Sequence, residues 1–140
     1  MILNRQKRVR VGLSSLEKFV RKVKRELHLD GREVSICLVS DAEMARLNKK
    51  YRKQNKPTDV LSFPSADAAG RNCGAELFGD IAIAPQVAQR NAKRYGRTLP
   101  DELRILILHG VLHLMGYDHE SDSGQMERRE KLLRRRLGLE

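Results

Sequence analysis

The chain has 140 residues, with 28 Lys and Arg against 18 Asp and Glu and a formal net charge of +10. That size fits one domain spanning residues 1–140, with a core large enough to need no disulfide staples. No apolar run approaches the roughly 18 residues of a membrane span, and no apolar stretch follows the basic N-terminus as in a secretory signal, so a cytoplasmic protein with no membrane partner is expected. Cys37 and Cys73 show no paired spacing and read as reduced, inert thiols.

The charge is uneven. Residues 1–56 hold 16 Lys and Arg against 6 Asp and Glu, and residues 57–140 hold 12 of each. Such asymmetry is either an electrostatic footprint for nucleic acid or a set of solvated helix faces.

In chain order, alternation at 8–12 suggests a short strand. Residues 14–29 follow as a basic amphipathic helix, with Ser14 and Glu17 at capping-box spacing, Ser15 as a competing cap, and Leu16, Phe19, Val20, Val23 and Leu27 on one face. His28 reads as an ordinary solvent-facing residue at its end. The β-branched segment 33–39 reads as a strand. Ser40 and Glu43 form a second capping box before a helix that carries Met44, Leu47, Asn48 and Tyr51 at helical spacing, is decorated with Arg46, Lys49, Lys50, Arg52 and Lys53, and is stopped by Pro57. Residues 59–63 form a strand closed by Pro64, and 65–75 a loop without periodicity.

A strand at 80–84 leads through Pro85 into a helix ending near Tyr95, with Gly96 just past its end. Residues 100–115 form a helix apolar almost all round, and therefore central and buried. In the final helix Met126, Leu133 and Leu137 share a face, and Arg134–Arg136 read as a solvated end. Strands interleaved with helices give an α/β (α+β) fold, a small mixed sheet packed with helices.

The chemistry is concentrated in HGVLHLMGYDH, His109–His119. On a helix, His109 and His113 lie one turn apart with Cβ atoms roughly 5–6 Å apart, close enough for both rings to reach one zinc ion at about 2.0–2.1 Å. Gly116 ends the helix in a left-handed turn that brings His119 back as a third nitrogen. The spacing matches HExxHxxGxxH at each fixed position except one, where Gly110 replaces the glutamate. Three histidines leave a fourth position open, the arrangement of catalytic zinc. Peptide hydrolysis loses its general base, while metal-assisted hydrolysis survives, and a site without that carboxylate suits an anionic phosphodiester.

These residues resemble the YbeY family of endoribonucleases over nearly the whole chain, most strongly in NKKYRKQNKPTDVLSFP (48–64), GDIAI (79–83) and the histidine motif. The resemblance implies a zincin-like fold with a central metal-binding helix and a metal site of His109, His113 and His119. It also implies single-strand-specific cleavage in 16S rRNA 3′-end maturation and ribosome quality control. The family's arginine in the NxxYR element corresponds to Arg52, whose planar fork would clamp the scissile phosphate. Expected partners are single-stranded RNA, rRNA, the small ribosomal subunit and its assembly factors, with no DNA. One Zn²⁺ per chain is expected, although three imidazoles also accept nickel or copper.

Asp118 reads either as an orienting partner of a ligand imidazole or as a turn residue. Asp59 and Asp80 read as structural, and Tyr117 as packing. Either a water activated at the ion or the RNA 2′-OH can serve as nucleophile. Two rival functions stand beside the nuclease: a non-cleaving rRNA-binding assembly factor with a structural metal, and a metal-dependent amidohydrolase.

Overall fold

The computed structural model describes residues 1–52, 58–64, 77–117 and 123–139, apart from the side chains of Arg52 and Leu77. In chain order the elements are β1 (Ile2–Asn4), α1 (Leu13–Glu26), β2 (Glu33–Leu38), α2 (Asp41–Arg52), β3 (Val60–Pro64), β4 (Leu77–Ile83), α3 (Pro85–Tyr95), α4 (Leu99–Leu114) and α5 (Gln125–Arg136). The four strands form one mixed sheet in the order β1-β2-β4-β3. β1 and β4 run parallel to β2, and β3 is antiparallel to β4.

Alternation along the strands sorts the sheet into two faces. Val34, Ile36, Leu38, Ile81 and Ile83 join the main core with α1, α4 and α5, packing against Phe19, Val23, Ile107, Leu108, Val111, Leu112, Met126 and Leu133. Leu61 and Ala82 form a smaller cluster on the other face with Met44 of α2, and Cys37 and Phe63 pack at its margin. α4 is apolar almost all round because it lies inside, with ten of its sixteen residues buried. Its start is pinned three ways. The Thr98 side chain accepts the Asp101 N–H, Pro100 fills the first turn, and buried Glu102 pairs with Arg97 at 2.9 Å. No helix among the described residues is long and apolar enough to cross a membrane.

The first strand is at Ile2–Asn4, where its backbone aligns with Ile36–Leu38, and not at 8–12. The buried Gln6 side chain explains the difference. Its Nε2 donates to the Val9 carbonyl at 2.9 Å and its Oε1 accepts the Val9 N–H at 3.0 Å. Both backbone groups are thereby used in a tight turn and taken from any ladder.

α1 begins at Leu13 after Gly12 with no side-chain cap, so the Ser14–Glu17 capping box does not form. Ser15 Oγ instead accepts from Arg104 at 3.1 Å. The second capping box is half realised, with the Glu43 N–H donating to Ser40 Oγ at 3.1 Å. Gly96 follows α3 with φ +69° and Gly116 follows α4 with φ +99°, the left-handed turns expected at both places. β4 begins at Leu77, before the expected 80, so Asp80 lies inside a strand and not at its start. The strand closed by Pro64 is β3, and the expected stop at Pro57 and the 65–75 loop lie outside the described residues.

Candidate metal centre

The two motif histidines meet as their spacing requires. His109 Nε2 and His113 Nε2 lie 3.1 Å apart, with ring centroids 4.6 Å apart and planes at 72°. Two nitrogens bound to one tetrahedral zinc at about 2.0–2.1 Å are separated by about 3.3 Å, so this donor pair fits a shared ion with little adjustment. His109 keeps 25% of its side chain exposed, which leaves the pair open to solvent although α4 is a core helix. His119 and Asp118 lie outside the described residues, and among those described no group of three His, Cys, Asp or Glu converges as a metal set.

Behind His109 stands a carboxylate that the sequence reading missed. Glu130 of α5 places Oε1 2.8 Å from His109 Nδ1, and its Oε2 accepts from Arg134 Nη2 at 2.9 Å. A carboxylate only accepts, so this contact favours the His109 tautomer with its proton on Nδ1, the one that turns the Nε2 lone pair toward His113. This carboxylate–imidazole arrangement is the usual support of a metal-binding histidine. One signal was available in the sequence. Glu130 lies at helical spacing with Met126, Leu133 and Leu137, a charge on an otherwise apolar stripe. Arg134 is likewise no solvated end, since only 17% of its side chain is exposed.

Gly110 sits where the protease glutamate would be, and close packing explains its size. A Cβ there would approach Ile81 Cδ1 to 2.9 Å, Ile81 Cγ2 to 3.0 Å and Ser62 Oγ to 3.2 Å. Ser62 Oγ also donates to the Gly110 carbonyl at 3.2 Å, fastening α4 to β3 beside His109. Gly79 permits a second close approach, since a Cβ there would meet Leu114 and the Phe63 carbonyl.

Arg52 is the last residue of α2, on the sheet face opposite α4. Its neighbour Tyr51 meets Phe63 of β3 edge-on at 5.0 Å. The strand that holds the α4 site on one face therefore contacts the end of α2 on the other. Asp59 is structural, as expected. Its carboxylate accepts from Asn91 at 3.1 Å and its carbonyl from the Ala84 N–H at 3.0 Å. Tyr117 packs against the core, and His28 is exposed, with φ +57°.

Residues 1–138 match the family model described as Endoribonuclease YbeY. The chain belongs to the YbeY family. It is 43% identical over 125 residues to Endoribonuclease YbeY of Solibacter usitatus, covering 89% of this chain and 79% of the relative. The Koribacter versatilis protein of the same name is 41% identical over 140 residues, with coverages of 99% and 86%. The Aquifex aeolicus one is 39% identical over 128 residues, with coverages of 91% and 83%. Among solved structures, the solution structure of TM1509 from Thermotoga maritima superimposes with a TM-score of 0.64 at 30% identity, covering 98% of this chain and 89% of that one. This family is one of endoribonucleases, and the mixed α+β architecture expected from the sequence is the one observed.

Proposed function

We propose that this chain is a metal-dependent endoribonuclease that cleaves single-stranded RNA in the cytoplasm, acting in 16S rRNA 3′-end maturation and ribosome quality control. Its partners in this reading are the small ribosomal subunit and its assembly factors. The observation that carries the proposal is the pair of imidazole nitrogens 3.1 Å apart, one of them aimed by a carboxylate at its far nitrogen.

His109, His113 and His119 would hold one Zn²⁺, which supplies Lewis-acid stabilisation of charge at a phosphoryl oxygen or a water. The chain's own residues do the rest. α4 holds two ligands rigidly, and Glu130 fixes the ring orientation of His109. With Gly110 packed on the sheet and Glu130 engaged at Nδ1, neither position supplies the general base of a protease beside the shared ion. The resemblance assigns Arg52 to the scissile phosphate, which its planar fork would grip; since α2 lies on the sheet face opposite α4, the RNA in this reading passes the edge strand β3 to meet both.

The test is single-turnover cleavage of a labelled single-stranded RNA at saturating enzyme, with nuclease contamination controlled by identically purified variants. His113→Ala is expected to abolish cleavage. Arg52→Ala is expected to lose about 10²–10³ in rate while keeping fold and metal, and Arg52→Lys to fall between. Equal rates for wild type and both alanine variants would overturn the reading and favour a non-cleaving RNA-binding factor. Metal content gives an independent check. Wild type should carry one transition metal per chain, and full stoichiometry in the His109→Ala/His113→Ala double variant would refute the site.

A further inference from the structure

We infer that Glu130 and Arg134 of α5 form a positioning arm that sets the metal affinity of the α4 site through His109, without either residue touching the ion. The inference rests on the metal-centre reading above. Three observations carry it. Glu130 is the only acidic residue among the buried positions of α5, in a helix that otherwise buries Met126 and Leu133. Its Oε1 lies 2.8 Å from His109 Nδ1, and its Oε2 accepts from Arg134 Nη2 at 2.9 Å. The three side chains are 25%, 12% and 17% exposed, so the ion pair is partly sheltered from solvent. Burying a carboxylate on an apolar stripe is costly unless it is paired, and here both partners are charged or polar groups in good geometry.

The chemistry follows from donor and acceptor counting. A carboxylate satisfies two donors at once. A glutamine side chain cannot, because turning its carbonyl oxygen to His109 turns its NH₂ against the Arg134 guanidinium, donor against donor. Glu130→Gln therefore disrupts the arm at almost constant shape. Removing the second donor as well, in Glu130→Gln/Arg134→Met, frees the amide to accept from His109 Nδ1–H.

Removing Arg134 also relieves the charge that Glu130→Gln leaves unpaired, so the rescue counts as positioning only where zinc affinity recovers by more than the melting temperature accounts for. Outer partners of metal-ligating histidines typically contribute about 10- to 100-fold in metal affinity.

The experiment measures zinc affinity of the full chain by competition with a chromophoric chelator. Circular dichroism and thermal melts are run on each variant. Glu130→Gln is expected to bind zinc about 10- to 100-fold more weakly than wild type, and the double variant to recover part of that loss. A second readout needs no variant. The imidazole ¹⁵N spectrum of the metal-free, histidine-labelled wild type should show His109 protonated at Nδ1.

Wild-type affinity in Glu130→Gln, or His109 protonated at Nε2 in that spectrum, would overturn the inference and leave the metal centre standing. A double variant weaker than Glu130→Gln would also overturn it, by showing simple structural damage. If wild type binds no zinc, the metal-centre reading falls and the inference falls with it. If Glu130→Gln does not fold, the histidine spectrum decides alone.

Discussion

Gly110 illustrates how a single residue constrains the site from the packing side. An added methyl would gain about 1 kcal/mol of helix propensity over glycine. It would also meet Ile81 and Ser62 at 2.9–3.2 Å, an overpacking that costs about 1–3 kcal/mol in a tight interior. Gly110→Ala is therefore expected to lower the urea midpoint, and Ile81→Val, which removes the nearest carbon, to recover part of the loss in the double variant. An unchanged midpoint for Gly110→Ala would show that the helix can withdraw from the sheet at no cost.

Cys37 gives a prediction of a different kind. Burial pushes its thiol up, with Arg5 opposing. Because the folded chain favours the neutral thiol, its contribution to stability is complete at neutral pH. That contribution is lost only as the pH rises into the alkaline range where the unfolded thiol ionises. Alkylation of the Cys37 peptide, followed by mass mapping at pH 8, should be slow in the folded protein and fast after unfolding.

At the scale of elements, the chain reads best where its local signals agree. α3 has proline at its start and a left-handed glycine after its end, and both were legible. α4 was legible as a central helix from its apolar surface, but its cap, Thr98, was not singled out. Thr98→Ala is expected to cost about 1 kcal/mol, read as a fall in thermal midpoint with metal content unchanged.

The misreadings share a cause. Val9 alternates like a strand residue, yet the side chain of Gln6 takes its backbone groups. Ser15 looks like a cap, yet a partner 89 residues away claims its hydroxyl. Glu130 reads as one more charge on a charged helix until α5 is laid against α4. Each was decided by a partner that periodicity does not encode. The histidine pair was legible because its two members lie on one turn of one helix, where spacing alone fixes distance.

For the whole molecule, the charge asymmetry includes two basic helix faces among the described residues. Lys18, Arg21, Lys22 and Arg25 lie exposed on α1, on the α4 side of the sheet, while Lys49 and Lys50 lie exposed on α2, on the other. RNA affinity should fall with salt, with a slope of about −0.7 in log K against log salt for each phosphate contacted by a single strand. Charge reversal of Lys49 and Lys50, beside Arg52 in sequence, is expected to flatten that slope without changing metal content. Flattening by reversal of Lys18 and Lys22 instead would move the interface to α1. No flattening by either pair would leave both surfaces as solvated faces.

The tight seat of Gly110 against Ile81 also bears on which substitutions the site can accept. Ile81 is 1% exposed in the middle of β4, between Ile36 and Ser62 in the sheet register. A glutamate introduced at 110 alone would force a charged side chain into that seam, so the single-step mutant should fold poorly whatever chemistry it gained. Thinning the strand, for example at Ile81, is therefore expected to ease the entry of a larger residue at 110. Engineered variants carrying a smaller strand residue at 81 should accept a glutamate at 110 with a smaller loss of stability than the unaltered chain.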